Sequence, residues 1–205
     1  MGGWLSRDGT PTKEAPWFAL RLTRKTAPWA FARGETFRVI ASLELLGVLL
    51  GVMLLLPVAD FTRPAGSTGV VTFACGTDNR GNSFLLDRML TTKYPLGLIL
   101  VELSHQLRLR NAALQARWIP RLQNEEADAL TNWDFRHFDM KRRIIVPDED
   151  LNRLDFGILP RLLATGEAYL AELSAAKEQA KADTSTGWTY RKKRAGEALK
   201  DRQPW

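Results

Sequence analysis

VIASLELLGVLLGVMLLLP, residues 39–57, is the most apolar stretch of the chain, and Glu44 is its one charge. Two readings are open. The stretch is a membrane span carrying a stray carboxylate, or it is a buried helix of a soluble domain whose one carboxylate has a purpose. A central acid costs roughly 2.5–3.5 kcal/mol on membrane-insertion scales, and the segment is at the short end for a span. If it did span, Arg33 and Arg38 just before it would hold the N-terminus inside.

The rest of the chain favours a soluble domain. Its 205 residues have room for one ordinary domain with a real core, plus a tail. The hydrophobic share of 45% and charged share of 25% are those of a globular protein, and seven Trp favour a packed fold over disorder. A net charge of +6 suits acidic partners such as nucleic acid or an anionic membrane surface. Cys75 is the only cysteine, which excludes an internal disulfide framework and a cysteine-built zinc site. The opening MGGWLSRDGTPTKEAPW has no apolar run and is not a secretory signal, although Gly2 and Ser6 fit the loose myristoylation pattern. An intracellular place, cytoplasmic or nuclear, is expected.

Working outward from residues 39–57, APWFALRLT (15–23) reads as a strand, with GGWL as its hairpin partner across turn chemistry at Asp8-Gly9 and Pro11. The long helix is entered through Gly34, Glu35 and Thr36 and stopped by Pro57. RPAGSTG (63–69) is a loop and VVTFAC (70–75) an apolar run of the buried-strand type. TDNRGNS breaks that run, and FLLDRMLTTKY follows with Phe84, Leu85, Met89 and Leu90 at helical spacing. Pro95 opens a second amphipathic helix, LGLILVELSHQLRLR. LQARWIP (114–120) reads as a strand and NEEADALTN (124–132) as a short helix with an acidic first turn. A hairpin followed by alternating helices and strands predicts a mixed α/β sheet. From about residue 135 the pattern is aromatic and charged without a clean period. LPRLLATGEAYLAELSAAKEQAKA (159–182) is a helix pattern, and from Ser174 onward eight basic residues face four acidic ones, which predicts a disordered or partner-dependent tail.

Three acids sit where an acid is unexpected: Glu44 inside the apolar helix, Asp78 directly after a predicted core strand, and Asp128 within NEEADALTN. A buried lone carboxylate is costly unless it is paired or bound to a metal. Three acids from separate elements converge only at one edge of a sheet, where they repel one another until a divalent cation neutralises them. Mg²⁺ takes such hard oxygen ligands, and two ions clamp the attacking and leaving oxygens of a phosphodiester displacement.

Taken in order, LELL on a hydrophobic helix, TDN after a strand, and WIP followed by RLQNEEADALTN resemble the ribonuclease H-like domain of retroelement reverse transcriptases. The resemblance covers about residues 1–133. It implies an RNase H-like mixed β-sheet with flanking helices, its first strand missing, then a connector and helix (134–173) and a polar basic tail (174–205). It also implies Mg²⁺-dependent hydrolysis of the RNA strand of an RNA–DNA hybrid, with two Mg²⁺ ions (Mn²⁺ as a substitute) and an upstream polymerase region in the same polyprotein. Glu44, Asp78 and Asp128 then match three of four metal-binding catalytic acids. Asn79 and Asn124 match polar neighbours of that site, and Asn79, Arg80 and the cluster Arg191, Lys192, Lys193 and Arg194 are the candidate nucleic-acid contacts. The fourth acid, an Asp on the family's first strand, would fall upstream of Met1, and Asp8 lies in the hairpin turn on the wrong side of the sheet edge. The expectation is a fragment that, alone, does not cleave.

Plainer explanations exist for each residue. Glu44 could be a solvated helix acid, although Ile40, Ala41, Gly47 and Val48 surround it at helical spacing. TDNRGN is good turn chemistry that justifies Asp78 without a metal. Asp128 complements the positive end of its helix together with Glu125 and Glu126. His105 and His137 match no metal-ligand spacing, the RKKR run suits a solvated surface, and the Trp residues suit packing. A non-catalytic nucleic-acid-binding remnant, and a single-pass membrane protein spanning 39–57, are the rival readings.

Overall fold

A computed structural model describes residues 1–7, 10–23, 28–31, 39–59, 69–91 and 93–146, with seven further positions between 168 and 182. The chain divides into two compact units, Met1–Gly166 and Glu167–Trp205. In the second, Ala168, Ala171, Ser174, Ala175, Glu178, Gln179 and Ala182 are helical and exposed. The loop at 63–68 and Asp8 lie outside the described residues, and so does the basic run 191–194.

The first unit is mixed α/β with two small sheets. Strand β1 (Gly2–Trp4) pairs antiparallel with β2 (Trp17–Ala19), in the register Gly2 with Ala19 and Trp4 with Trp17. After a helical turn α1 (Pro28–Phe31) comes α2 (Ile40–Leu55), then β3 (Val71–Thr77), α3 (Arg80–Arg88), α4 (Leu96–Leu109), β4 (Ala112–Trp118) and α5 (Glu125–Thr131). β3 and β4 pair in parallel, Val71 opposite Ala112 through Thr77 opposite Trp118, with α3 and α4 as the crossover that parallel pairing requires.

The apolar run of residues 39–57 is therefore a helix of 16 residues. At 1.5 Å per residue it is roughly 24 Å long, short of a 30 Å hydrocarbon core, and no described helix is long and apolar enough to cross a membrane. Leu45, Leu46, Leu49 and Leu50 are buried against Ile99, Leu100, Leu103 and Leu107 of α4, the centre of the core. Each such side chain contributes on the order of 1.5–3 kcal/mol by leaving water. Both ends of α2 are held by later elements. Asn82 Nδ2 of α3 donates to the Ala41 carbonyl at 2.9 Å. Arg110, at the end of α4, donates through Nε to the Leu56 carbonyl at 3.0 Å and through Nη2 to that of Met53 at 3.1 Å. These are the carbonyls a helix C-terminus leaves without intrahelical partners.

A second, aromatic cluster seals the hairpin. Trp17 is fully buried with Ala19, Leu130 and Phe138, and its Nε1 donates to the Asp139 carbonyl at 2.7 Å. The Trp17 ring lies 4.9 Å from that of Phe135 and 5.3 Å from that of Phe138. The Arg143 guanidinium stands over the rings of Trp17, Trp133 and Phe135, and Ile144 N–H donates to the Trp17 carbonyl. Residues 134–146, which lack any period in sequence, are thus a covering layer for the hairpin. Gly2 is needed where β1 crosses α5, because a Cβ there would stand 2.8 Å from that of Leu130.

Several expectations are corrected. The 15–23 strand is only Trp17–Ala19. VVTFAC is a strand but not a buried one: Val70 and Val71 are exposed, and only alternate residues turn toward the helices, because the described helices cover one face of β3. α3 begins inside the supposed break. Asn79 is its N-cap, accepting from Asn82 N–H. That sets the phase so that Asn82, Ser83 and Leu86 are buried while Phe84 and Leu90 are exposed. Trp17 and Trp29 pack as expected, whereas Trp118 and Trp133 are partly exposed.

Candidate functional site

Glu44 lies in the second turn of α2, Asp78 on the residue after β3, and Asp128 in α5. Far apart in sequence, they line one cavity of about 950 Å³, along with Arg121, Asn124 and Glu126. The topology explains the meeting. The carboxyl end of β3 delivers Asp78 to the N-terminal part of α2, where Asn82 from the next helix already binds Ala41. The turn after β4 then brings Arg121 and α5 to the same end.

Glu44 is half-buried, and its Oε2 accepts from Asn82 Nδ2 at 3.2 Å. Burial pushes its carboxyl above the usual range and the nearby Asp78 charge adds to the rise, while the Asn79 and Asn82 amides and the Arg121 cation oppose it. Asp78 is also half-buried, and its carbonyl accepts from Trp118 Nε1 at 3.1 Å. Asp128 faces Arg121, with Nε to Oδ2 at 3.7 Å, the arginine exposed and the aspartate partly so; such a pair adds about 0–1 kcal/mol. Asn124 begins α5 without a side-chain cap bond. Beside the cavity, the Arg80 guanidinium lies 4.8 Å over the ring of Trp118, a pair at the surface.

The donors are of the chemical kind Mg²⁺ takes, hard oxygens from carboxylates and amides. They are not gathered tightly: among the described residues, no group of three His, Cys, Asp or Glu is placed to hold one ion. The arrangement brings Glu44 and Asp78 into electrostatic contact, and pairs Asp128 with Arg121.

Sequence reasoning missed three residues of the site and one buried acid outside it. Asn82, buried and bonded to Glu44, was hidden in apparent turn chemistry. Arg121 and Glu126 had no signal beyond their neighbours. Glu102 of α4 is fully buried, accepting from Gln106 Nε2 at 2.7 Å, and Gln106 in turn accepts from Arg110. The (i, i+4) spacing of Glu102 and Gln106 was the available clue. His105 is exposed. Cys75 lies on the inner face of β3, where burial pushes its thiol up to about 11 and leaves it a poor nucleophile.

No family model matches the chain, and no curated protein or solved structure matches it.

Proposed function

We propose that residues 1–133 are an RNase H-like portion of a retroelement reverse-transcriptase protein, and that this chain alone holds an RNA–DNA hybrid without cleaving it. One observation carries the reading: Glu44, Asp78 and Asp128, the acids the resemblance selects, come from three elements and line one cavity. Burial raises the Glu44 carboxyl first and the Asp78 charge adds to the rise, a repulsion that a cation between the two would relieve. Mg²⁺, when bound to such carboxylates, stabilises charge on a phosphodiester and activates water. The chain's own part is to place oxygens: Asn82 fixes Glu44, and Trp118 fixes the backbone of Asp78. Basic residues such as Arg80 would hold the backbone without reading sequence.

The test is a hydrolysis assay on an RNA–DNA hybrid with the purified chain in Mg²⁺ or Mn²⁺. The expected result is no turnover, together with Mg²⁺-induced shifts in the carboxylate NMR signals of Glu44 and Asp78. Hydrolysis abolished by Asp78→Asn would remove the inactivity; absence of the Mg²⁺ shifts would remove the metal site.

The exposed Arg80–Trp118 pair beside Asp78 favours a second reading, a non-catalytic nucleic-acid-binding remnant. A cation and a ring at one surface suit a phosphate and a stacked base. Hybrid binding that weakens steeply with salt, with no response to Mg²⁺ at the carboxylates, would distinguish it.

A further inference from the structure

A second cavity, of about 380 Å³, opens against the hairpin and is lined by Ala19, Leu20, Arg21, Trp133, Arg143 and Val146. Its size is at the lower end of pockets that hold small molecules, roughly 300–1000 Å³. None of Glu44, Asp78 and Asp128 reaches it, and no acid is among its lining residues. Four of the six side chains are apolar and the other two are arginines.

Those two arginines share one ring. The Arg21 guanidinium lies 5.2 Å and that of Arg143 5.4 Å from the centre of the Trp133 indole. Ring faces compensate a cation only in part, and the two charges repel each other. Arg143 is further enclosed by Trp17 and Phe135. Its Nε is buried without an acceptor, and its Nη2 reaches the Ala19 carbonyl only at 3.5 Å. Among the described residues no carboxylate pairs with either arginine. Asp134, next to Trp133 in sequence, is taken by Arg136 Nε at 2.7 Å, and Asp128 by Arg121. Each guanidinium carries five N–H donors, so the pocket holds two cations and far fewer acceptors than they can use. Charge in such a place costs free energy until it is paired.

The backbone of Trp133 adds an independent observation. The Asp134 N–H closes α5 on the Ala129 carbonyl at 2.8 Å, and Trp133 stands in the left-handed turn just before it, with φ 62°. Glycine usually fills that place after a helix, and a bulky residue there is held against its backbone preference. Such positions concentrate at ligand clamps. What the indole gains is a place in the cavity wall beneath both arginines.

We propose that this pocket binds a small organic acid, its carboxylate held by Arg21 and Arg143 and its apolar body against Leu20, Trp133 and Val146. A carboxylate is planar and meets a guanidinium through two parallel hydrogen bonds. The rest of the wall offers apolar contact, with no hydroxyl or ammonium for the further oxygens of a phosphate. The site uses neither the three acids nor a metal, so it stands or falls separately from the nuclease reading.

The probe is benzoate, titrated into the full chain while the Nε–H signals of Arg21 and Arg143 and the indole N–H of Trp133 are followed by NMR. All three are expected to shift together and saturate, with a dissociation constant of about 1 mM or tighter. Arg21→Gln, at an exposed position, should weaken binding about tenfold or more at an unchanged melting temperature. Shifts that rise linearly without saturating, or undiminished binding by Arg21→Gln, would overturn the proposal. Equal binding of inorganic phosphate would reduce the site to one for any anion, and equal binding of benzyl alcohol to an apolar hole; either overturns the assignment. Asp148, Glu149 and Asp150, close after Val146 in sequence, lie outside the described residues. Benzoate binding seen only when all three are changed to amides would show that the chain's own acids fill the pocket, and would overturn it as well.

Discussion

The two strand pairs of this molecule are of similar apolarity in sequence and opposite in fate. Trp17, Phe18 and Ala19 of β2 are buried to the last residue, whereas Val71, Thr72, Ala74 and Gly76 of β3 face solvent. The difference lies in what covers them. The hairpin has α2 on one face and the aromatic segment 133–146 on the other; β3 and β4 have helices on one face and no described layer on the second. Strand character thus follows from neighbours far away in sequence, Asp139 for Trp17 being 122 residues distant.

Removing the seal should make the first pair resemble the second. Trp17→Ala deletes a fully buried ring, its bond to Asp139 and two aromatic contacts, and should cost about 3–5 kcal/mol in urea unfolding. Asn82→Ala, at the junction of α2 and α3, removes one donor from the Ala41 carbonyl and one from Glu44 and should cost about 1–3 kcal/mol. Glu44→Gln sharpens the contrast through pH. Because the folded state raises the Glu44 carboxyl, it binds the proton more tightly than the unfolded chain does. That contribution is complete below the ordinary glutamate range near 4.3 and is lost as pH rises through the raised value. The variant should therefore match the parent at pH 4 and exceed it in melting temperature at pH 7; parallel curves would show that burial of Glu44 is of no consequence. Val71→Thr on the open face should change stability by no more than about 0.5 kcal/mol, and a larger loss would mean that β3 is covered after all.

The helices were legible because their signals are local. A Leu-rich run ending at Pro57 yields α2, Pro95 opens α4, and an acidic first turn marks α5. The order of Glu44, Asp78 and Asp128 was legible too, since the topology alone carries all three to one cavity. What escaped was phase and sidedness. TDNRGNS reads as a break, yet Asn79 caps a helix from within it, which moves the buried face from Phe84 and Leu90 to Asn82 and Leu86. The aromatic stretch 133–146 has no period because it is built of turns and a single 3₁₀ turn at Met140–Arg142, and only its partner Trp17 makes sense of it. Glu102 escaped because a buried acid satisfied by Gln106 looks in sequence like any polar position of an amphipathic helix.

The clamps at the two ends of α2 carry a consequence for how the protein comes apart. Asn82 holds the Ala41 carbonyl, and Arg110 holds those of Met53 and Leu56, so neither terminus of α2 frays without first releasing a later element. α2, α3 and α4 are thereby one cooperative unit of opening, whose slowest-exchanging amides share a single free energy. The first helix of the core is as durable as the side chains that close it from 41 and 54 residues downstream.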